Sequence, residues 1–113
     1  MMTEQARRID RGLLTIRSEP QDDYRVALDG EMDSANARDL ELELIRIETT
    51  GVSRIVLDLS RLKFVESTGL AVIVRAHKRA KQTGHGLAFV RPQGHVSRTF
   101  EVTGLDKELS FVN

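Results

Sequence analysis

The sequence predicts a single α/β domain: a mixed sheet of four or five strands that opens with an N-terminal hairpin and carries three or more helices. Three observations predict it. Apolar and polar residues alternate at Leu14–Ile16 and Tyr24–Leu28, the period of half-buried strands. Ile55, Val56, Leu57 and Leu59 form a nearly unbroken apolar run, as in a central strand covered on both faces. Around that run, helical spacing alternates with strand spacing, which implies right-handed crossovers and parallel neighbours.

Residues 1–12 are charged and poor in apolar side chains, so they are expected as a loosely ordered lead-in, with the folded domain spanning 13–113. Turn chemistry in Glu19-Pro20-Gln21-Asp22-Asp23 joins the first two strands as an antiparallel hairpin. Gly30 to Asp33 breaks the second strand. Asp33 or Ser34 then caps a helix whose stripe is Ala37, Leu40, Leu44 and Ile47, and Gly51 ends it. The central strand leads through a short turn to Ser67 and Thr68. There a second helix begins, with Leu70, Ile73, Val74, His77 and Ala80 on one face and Arg75, Lys78, Arg79 and Lys81 in its last turns, most simply a solvated helix end. Gly84 and Gly86 bracket its stop. Leu87 to Val90 is another short central strand. A third helix runs from about Gln93 to Thr103, with Val96, Phe100 and Val102 as apolar positions and Gly104 as cap. Leu109, Phe111 and Val112 form either an edge strand or an irregular tail.

The composition narrows the function classes. At 113 residues the chain can bury a core without staples. Seventeen basic residues balance seventeen acidic ones, which argues against a nucleic-acid binder, since phosphate affinity needs excess Lys and Arg. The absence of cysteine excludes disulfides and thiolate zinc sites. Met1 to Gly12 is unlike a signal peptide, and Leu70 to Val74 is far too short to cross a bilayer, so a cytoplasmic protein without membrane insertion is expected.

The candidate site is the hydroxyl pair Ser67-Thr68. A helix start carries unpaired N–H groups and partial positive charge, and so can hold a phosphate. No histidine, cysteine or lysine lies within three residues to activate either hydroxyl, so the pair reads as a receiver of chemistry done by another protein. Helix capping alone explains Ser and Thr at such a place equally simply. Asp33 has the same structural explanation, and strand order decides whether it approaches the hydroxyls. His77 is expected as a packed, hydrogen-bonded residue, and His85 and His95 as surface loop residues. No pair of them has helical metal-ligand spacing with a carboxylate, so neither a metal nor a cofactor is expected.

Four stretches extend this pattern: Gly30-Glu31-Met32-Asp33 with its following helix, Val56-Leu57-Asp58-Leu59-Ser60, Phe64-Val65-Glu66-Ser67-Thr68-Gly69-Leu70, and Val102-Thr103-Gly104-Leu105. In that order, from about Leu14 to Phe111, they resemble the STAS domains of bacterial anti-sigma-factor antagonists. The resemblance implies a non-enzymatic partner switch that regulates transcription. The unmodified protein binds an anti-sigma factor that is also a serine/threonine kinase, phosphorylation releases it, and a phosphatase restores binding. It places the acceptor on Thr68, with Ser67 as neighbour or alternate, and a partner-binding site on Asp33, Glu66, Ser67, Thr68 and Gly69. Glu66 stands where Asp is commoner and Thr68 where Ser is commoner. Monomer and homodimer both stay open. Two other readings compete. One is a STAS accessory subunit docking on a transporter ATPase through the same loop. The other is a small hydrolase with Ser67 or Thr68 as nucleophile, which is disfavoured because His77 lies roughly 12 to 15 Å away by helical rise.

Overall fold

A computed structural model describes residues 5–112 as five strands and four helices. In chain order these are β1 (Arg7–Arg11), β2 (Leu14–Glu19), β3 (Tyr24–Met32), α1 (Ser34–Glu48), β4 (Arg54–Val65), α2 (Ser67–Thr83), β5 (Gly86–Val90), α3 (Gly94–Thr103) and α4 (Leu105–Glu108). The sheet order is the chain order, β1-β2-β3-β4-β5. β1, β2 and β3 pair antiparallel, while β3, β4 and β5 pair parallel. Successive right-handed crossovers in one direction put α1 and α2 on the same face, where they pack against each other.

The predicted stripe of α1 is buried throughout, as are Ile55, Leu57 and Leu59 of β4 and Ile73 and Ala76 of α2. These side chains, with Val26, Leu28, Phe89, Val96 and Phe100, form one core. Each large one contributes about 1.5–3 kcal/mol by leaving water.

Four expectations are corrected. Residues 7–11 of the expected lead-in are an edge strand in full register with β2, from Arg7 opposite Ser18 to Arg11 opposite Leu14; residues 1–4 lie outside the described residues. Only Ile9 of this strand packs on the core, so its ladder bonds hold it rather than any apolar pattern. The expected turn before Ser67 is instead a continuation of β4, which twice advances by an extra residue against β3: Ala27 and Asp29 face Asp58 and Arg61, and Gly30 and Glu31 face Leu62 and Phe64. Each bulge resets the inward–outward alternation, so Leu62 and Val65 point into the core and Phe64 outward. Arg75 and Arg79 are not a merely solvated helix end. They reach across to α1, where both guanidinium groups grip carboxylates: Arg75 Nε to Glu41 Oε2 is 2.7 Å and Arg79 Nε to Glu48 Oε1 is 2.9 Å. Val102 is 88% exposed, because the core face of α3 is Val96 and Phe100.

After Gly104 the chain adds the short α4, which buries Leu105, and Leu109 closes the core. Phe111 then forms a single parallel bridge to Phe89, with the Phe89 amide donating to Ser110 O at 2.8 Å. The tail thus covers the outer edge of β5.

Candidate functional site

β3 and β4 end side by side, with Met32 opposite Val65, and each hands over to a helix after one residue. Those two residues are Asp33 and Glu66, the N-caps of α1 and α2. The Glu66 amide donates to Met32 O at 3.0 Å, which locks the two helix starts together at the carboxyl edge of the parallel strands. Ligands and functional loops collect at such edges. The parallel register therefore brings Asp33 beside the segment of Glu66, Ser67, Thr68 and Gly69.

The two helix starts are built differently. Asp33 Oδ1 accepts from the amides of Ala35 at 3.0 Å and Asn36 at 2.9 Å, while Asn36 Oδ1 accepts from the Asp33 amide at 2.8 Å. This capping box satisfies the first turn of α1 from within. Buried Asn36 does more: its Nδ2 donates to Glu31 O at 3.0 Å and Arg11 O at 3.3 Å, tying the β1–β2 turn, the end of β3 and α1 together. In α2 the N-cap Glu66 makes no side-chain capping bond. The expectation that Ser67 or Thr68 caps α2 is corrected: they are its first two residues, inside the helix rather than before it. Both are exposed, and among the described residues neither hydroxyl hydrogen-bonds a side chain.

Gly69 is buried for a steric reason. A methyl group there would lie 2.7 Å from Val65 Cγ2 and 2.9 Å from Met32 Cε, so only glycine lets the first turn of α2 seat on the strand ends. Beside it, a groove of about 500 Å³ runs between α2 and the α3–α4 segment, lined by Ser67, Leu70, Val74, Thr103, Leu105 and Glu108. Phe64, turned outward by the second bulge, stacks on His95, with ring centroids 6.0 Å apart and planes 3° from parallel. His95 thus sits in the first turn of α3 rather than in a loop. Ser67 thus borders a groove whose walls are largely apolar, Leu70, Val74 and Leu105. A larger hollow of about 600 Å³, lined in part by Asp29, Arg61, Lys63 and His95, includes neither hydroxyl.

Several other singled-out groups have structural roles. Asp58 accepts from the Ser60 hydroxyl at 2.7 Å, the Ser60 amide at 2.9 Å and Arg25 Nη2 at 2.9 Å. Partial burial pushes its pKa up, but these donors win and hold it below the ordinary aspartate value. His77 is packed as expected, with 6% exposure, but its Nε2 has no partner. Three participants were not legible. Asn36 was hidden inside an ordinary helix start, because the usual capping-box pattern has Glu or Gln, not Asn, three residues after the cap. The far wall of the groove needed the placement of α3 and α4. The Phe64–His95 stack needed the bulges.

The STAS domain family matches residues 16–113. A Staphylococcus aureus anti-sigma-B factor antagonist is 33% identical over 101 residues, 88% of this chain and 93% of that protein. A Bordetella bronchiseptica protein provisionally designated an anti-sigma factor antagonist is 39% identical over 77 residues, 68% of this chain and 66% of its own length. The crystal structure of an anti-sigma factor antagonist from Mycobacterium paratuberculosis superposes with a TM-score of 0.76 at 29% identity, covering 87% of this chain and 84% of that one.

Proposed function

We infer that this chain, which belongs to the STAS domain family, acts as an anti-sigma-factor antagonist whose hold on its partner is switched by phosphorylation of the Ser67–Thr68 pair. The partner is an anti-sigma factor of serine/threonine kinase type, and a phosphatase reverses the modification. One observation carries the reading: two exposed hydroxyls occupy the first turn of a helix without a side-chain cap, among the described residues neither hydrogen-bonds a side chain, and a groove with apolar walls opens at Ser67. An enzyme nucleophile needs an adjacent base. A substrate hydroxyl needs only access, and a docking face needs apolar area around it.

The residues then divide the work. Thr68, immediately before Gly69, is the first acceptor and Ser67 the alternate. Gly69 seats the helix start, Asp33 rigidifies the neighbouring one, and Glu66 borders the pair. Phosphorylation adds a charge near −2 that the uncapped N–H groups of α2 tolerate, so the fold changes little. A partner carboxylate about 5 Å from the phosphate is repelled by roughly 2 to 6 kcal/mol for effective dielectrics between 80 and 20, enough to turn a tight complex into a weak one.

Incubation with a kinase-type anti-sigma factor, ATP and magnesium tests this. The expected result is phosphate on Thr68 or Ser67, loss of the complex, and amide chemical-shift changes confined to the first turns of α1 and α2 and the groove. Thr68→Ala and Ser67→Ala, separately and together, assign the acceptor. Full labelling or full regulation in the double variant refutes the proposal, and shifts spread through the whole sheet refute the local mechanism.

A further inference from the structure

The tail covers one edge of the sheet through the Phe111–Phe89 bridge, while β1 lies at the other edge with no strand beyond it among the described residues. Gly12 and Leu13 form a two-residue turn between β1 and β2, which makes Arg11 and Leu14 a hydrogen-bonded pair. By the antiparallel alternation, Arg7, Ile9 and Arg11 direct their N–H and C=O groups to β2. Arg8 and Asp10 direct theirs to the open edge, a template for another strand. The side chains alternate too. On the helical face Arg7 meets Glu43 at 3.4 Å, Arg11 meets Asp39 at 3.4 Å, and Ile9 rests partly buried on the core. On the opposite face Arg8 and Asp10 are each 59% exposed and bridged at 3.0 Å.

We propose that β1 is a homodimerisation edge, pairing antiparallel with β1 of a second copy about a two-fold axis at Ile9 and joining the two sheets into one. Charge selects the register. Hydrogen-bonded pairs across this edge form between Arg8 and Asp10 of the two copies, which leaves three alignments. Arg8 against Arg8, or Asp10 against Asp10, sets like charges opposite one another. Arg8 against Asp10 sets opposite charges together twice, so the four side chains around the axis alternate in sign. In that register each pair exchanges both backbone bonds, and Ile9 faces its own copy, covering apolar surface that is partly exposed in a single chain. Arg7 then falls opposite Arg11, but each guanidinium is already matched by a carboxylate of α1, which blunts the repulsion. A uniformly charged edge forbids pairing, whereas this one forbids every alignment but one. The contact is isologous and closes at two copies. Ser67 and Thr68 follow β4, about 14 Å from β1 across the sheet, so the dimer leaves them free for another partner.

The test uses the full chain. Sedimentation equilibrium is expected to show a reversible monomer–dimer equilibrium between about 10 μM and about 1 mM, the weak range that so short a contact supports. Amide hydrogen exchange at Arg8 and Asp10 should slow as the concentration rises. Arg8→Asp and Asp10→Arg, at exposed positions, each set like charges opposite one another and should weaken self-association at least about tenfold, with circular dichroism unchanged. Mixed in equal amounts, the two variants should associate with each other about as tightly as the native chain, because each supplies the charge the other lacks. A chain that stays monomeric throughout this range overturns the proposal and leaves the edge for a strand of a different protein. Undiminished association in either variant, no recovery in the mixture, or protection that rises elsewhere than at Arg8 and Asp10 overturns it as well.

Discussion

Replacement of Gly69 by alanine separates the seating of the candidate site from the stability of the domain. The added methyl would lie 2.7 Å from Val65 Cγ2, 2.9 Å from Met32 Cε and 3.0 Å from Met32 Cγ. Val65 is β-branched and stiff, and Met32 is fully buried, so the neighbours yield little and the helix start must lift by a few tenths of an ångström. Overpacking of this kind costs about 1–3 kcal/mol, against which alanine in a helix regains about 1 kcal/mol, leaving a net loss of about 1 kcal/mol. Gly51→Ala is the matched control: its φ of +79° costs a comparable ~1–2 kcal/mol, but its methyl meets nothing within 4 Å and it lies far from the hydroxyls along the chain. Urea denaturation should therefore show similar losses in both variants. Calorimetric titration with the anti-sigma factor should show a roughly tenfold loss of affinity, about 1.4 kcal/mol, in Gly69→Ala alone. Equal binding by the two variants, or equal loss in both, would show that the close seating of this turn has no bearing on recognition.

Asp33→Ala removes the acceptor for two amides and half of the capping box, so stability should fall by about 1–2 kcal/mol in denaturant melts, and Asp33→Asn should restore most of it. Gly30→Ala is expected to be far more damaging. At φ +113° its methyl would stand 2.0 Å from Leu13 O, which itself accepts from the Glu31 amide at 2.9 Å, so a loss of at least about 3 kcal/mol or failure to fold is predicted, read by circular dichroism. Glu43, 2% exposed, accepts from Ser18 Oγ at 2.7 Å and pairs with Arg46 at 2.9 Å and Arg7 at 3.4 Å. Burial pushes its pKa up, but the Arg46 and Ser18 bonds and the two guanidinium charges outweigh it and hold the carboxyl below its ordinary value. Its contribution is thus complete above the ordinary glutamate range and disappears as pH falls through the lowered folded value. Glu43→Gln should flatten the acid limb of the stability curve. Glu43→Ala, which strands buried Ser18, should cost about 2–4 kcal/mol at neutral pH; a loss below about 0.5 kcal/mol in equilibrium unfolding would contradict the network.

Local chemistry made much of this protein legible in its sequence. The period-two runs of β2 and β3, the three–four stripe of α1, the apolar run of β4 and the glycine stops at Gly84 and Gly104 are each set by residues within one turn or one strand of each other. The position of Ser67 and Thr68 at a helix start was likewise visible, because a Ser-Thr-Gly after a buried strand needs no distant partner to be recognised. β1 was missed for the converse reason. All its side chains but Ile9 are charged, so its pairing is recorded in backbone bonds to β2 and in Arg7 meeting Glu43, neither of which leaves an apolar pattern.

Tertiary structure alone decided the rest. Asp33 stands beside Glu66 only because β3 and β4 pair parallel with Met32 against Val65. Phe64 faces outward to His95 only because β4 gains two residues on β3, and the strand period by itself cannot show where an extra residue is inserted. The groove beside Ser67 exists because α3 and α4 return to α2 from some forty residues along the chain, and His77 shares a cavity with His85 because Gly84 turns the chain back on itself. Sequence thus determined most of the elements and set Ser67 and Thr68 at a helix start. Register, bulge position and helix return, which depend on contacts between residues remote in the chain, determined what surrounds them.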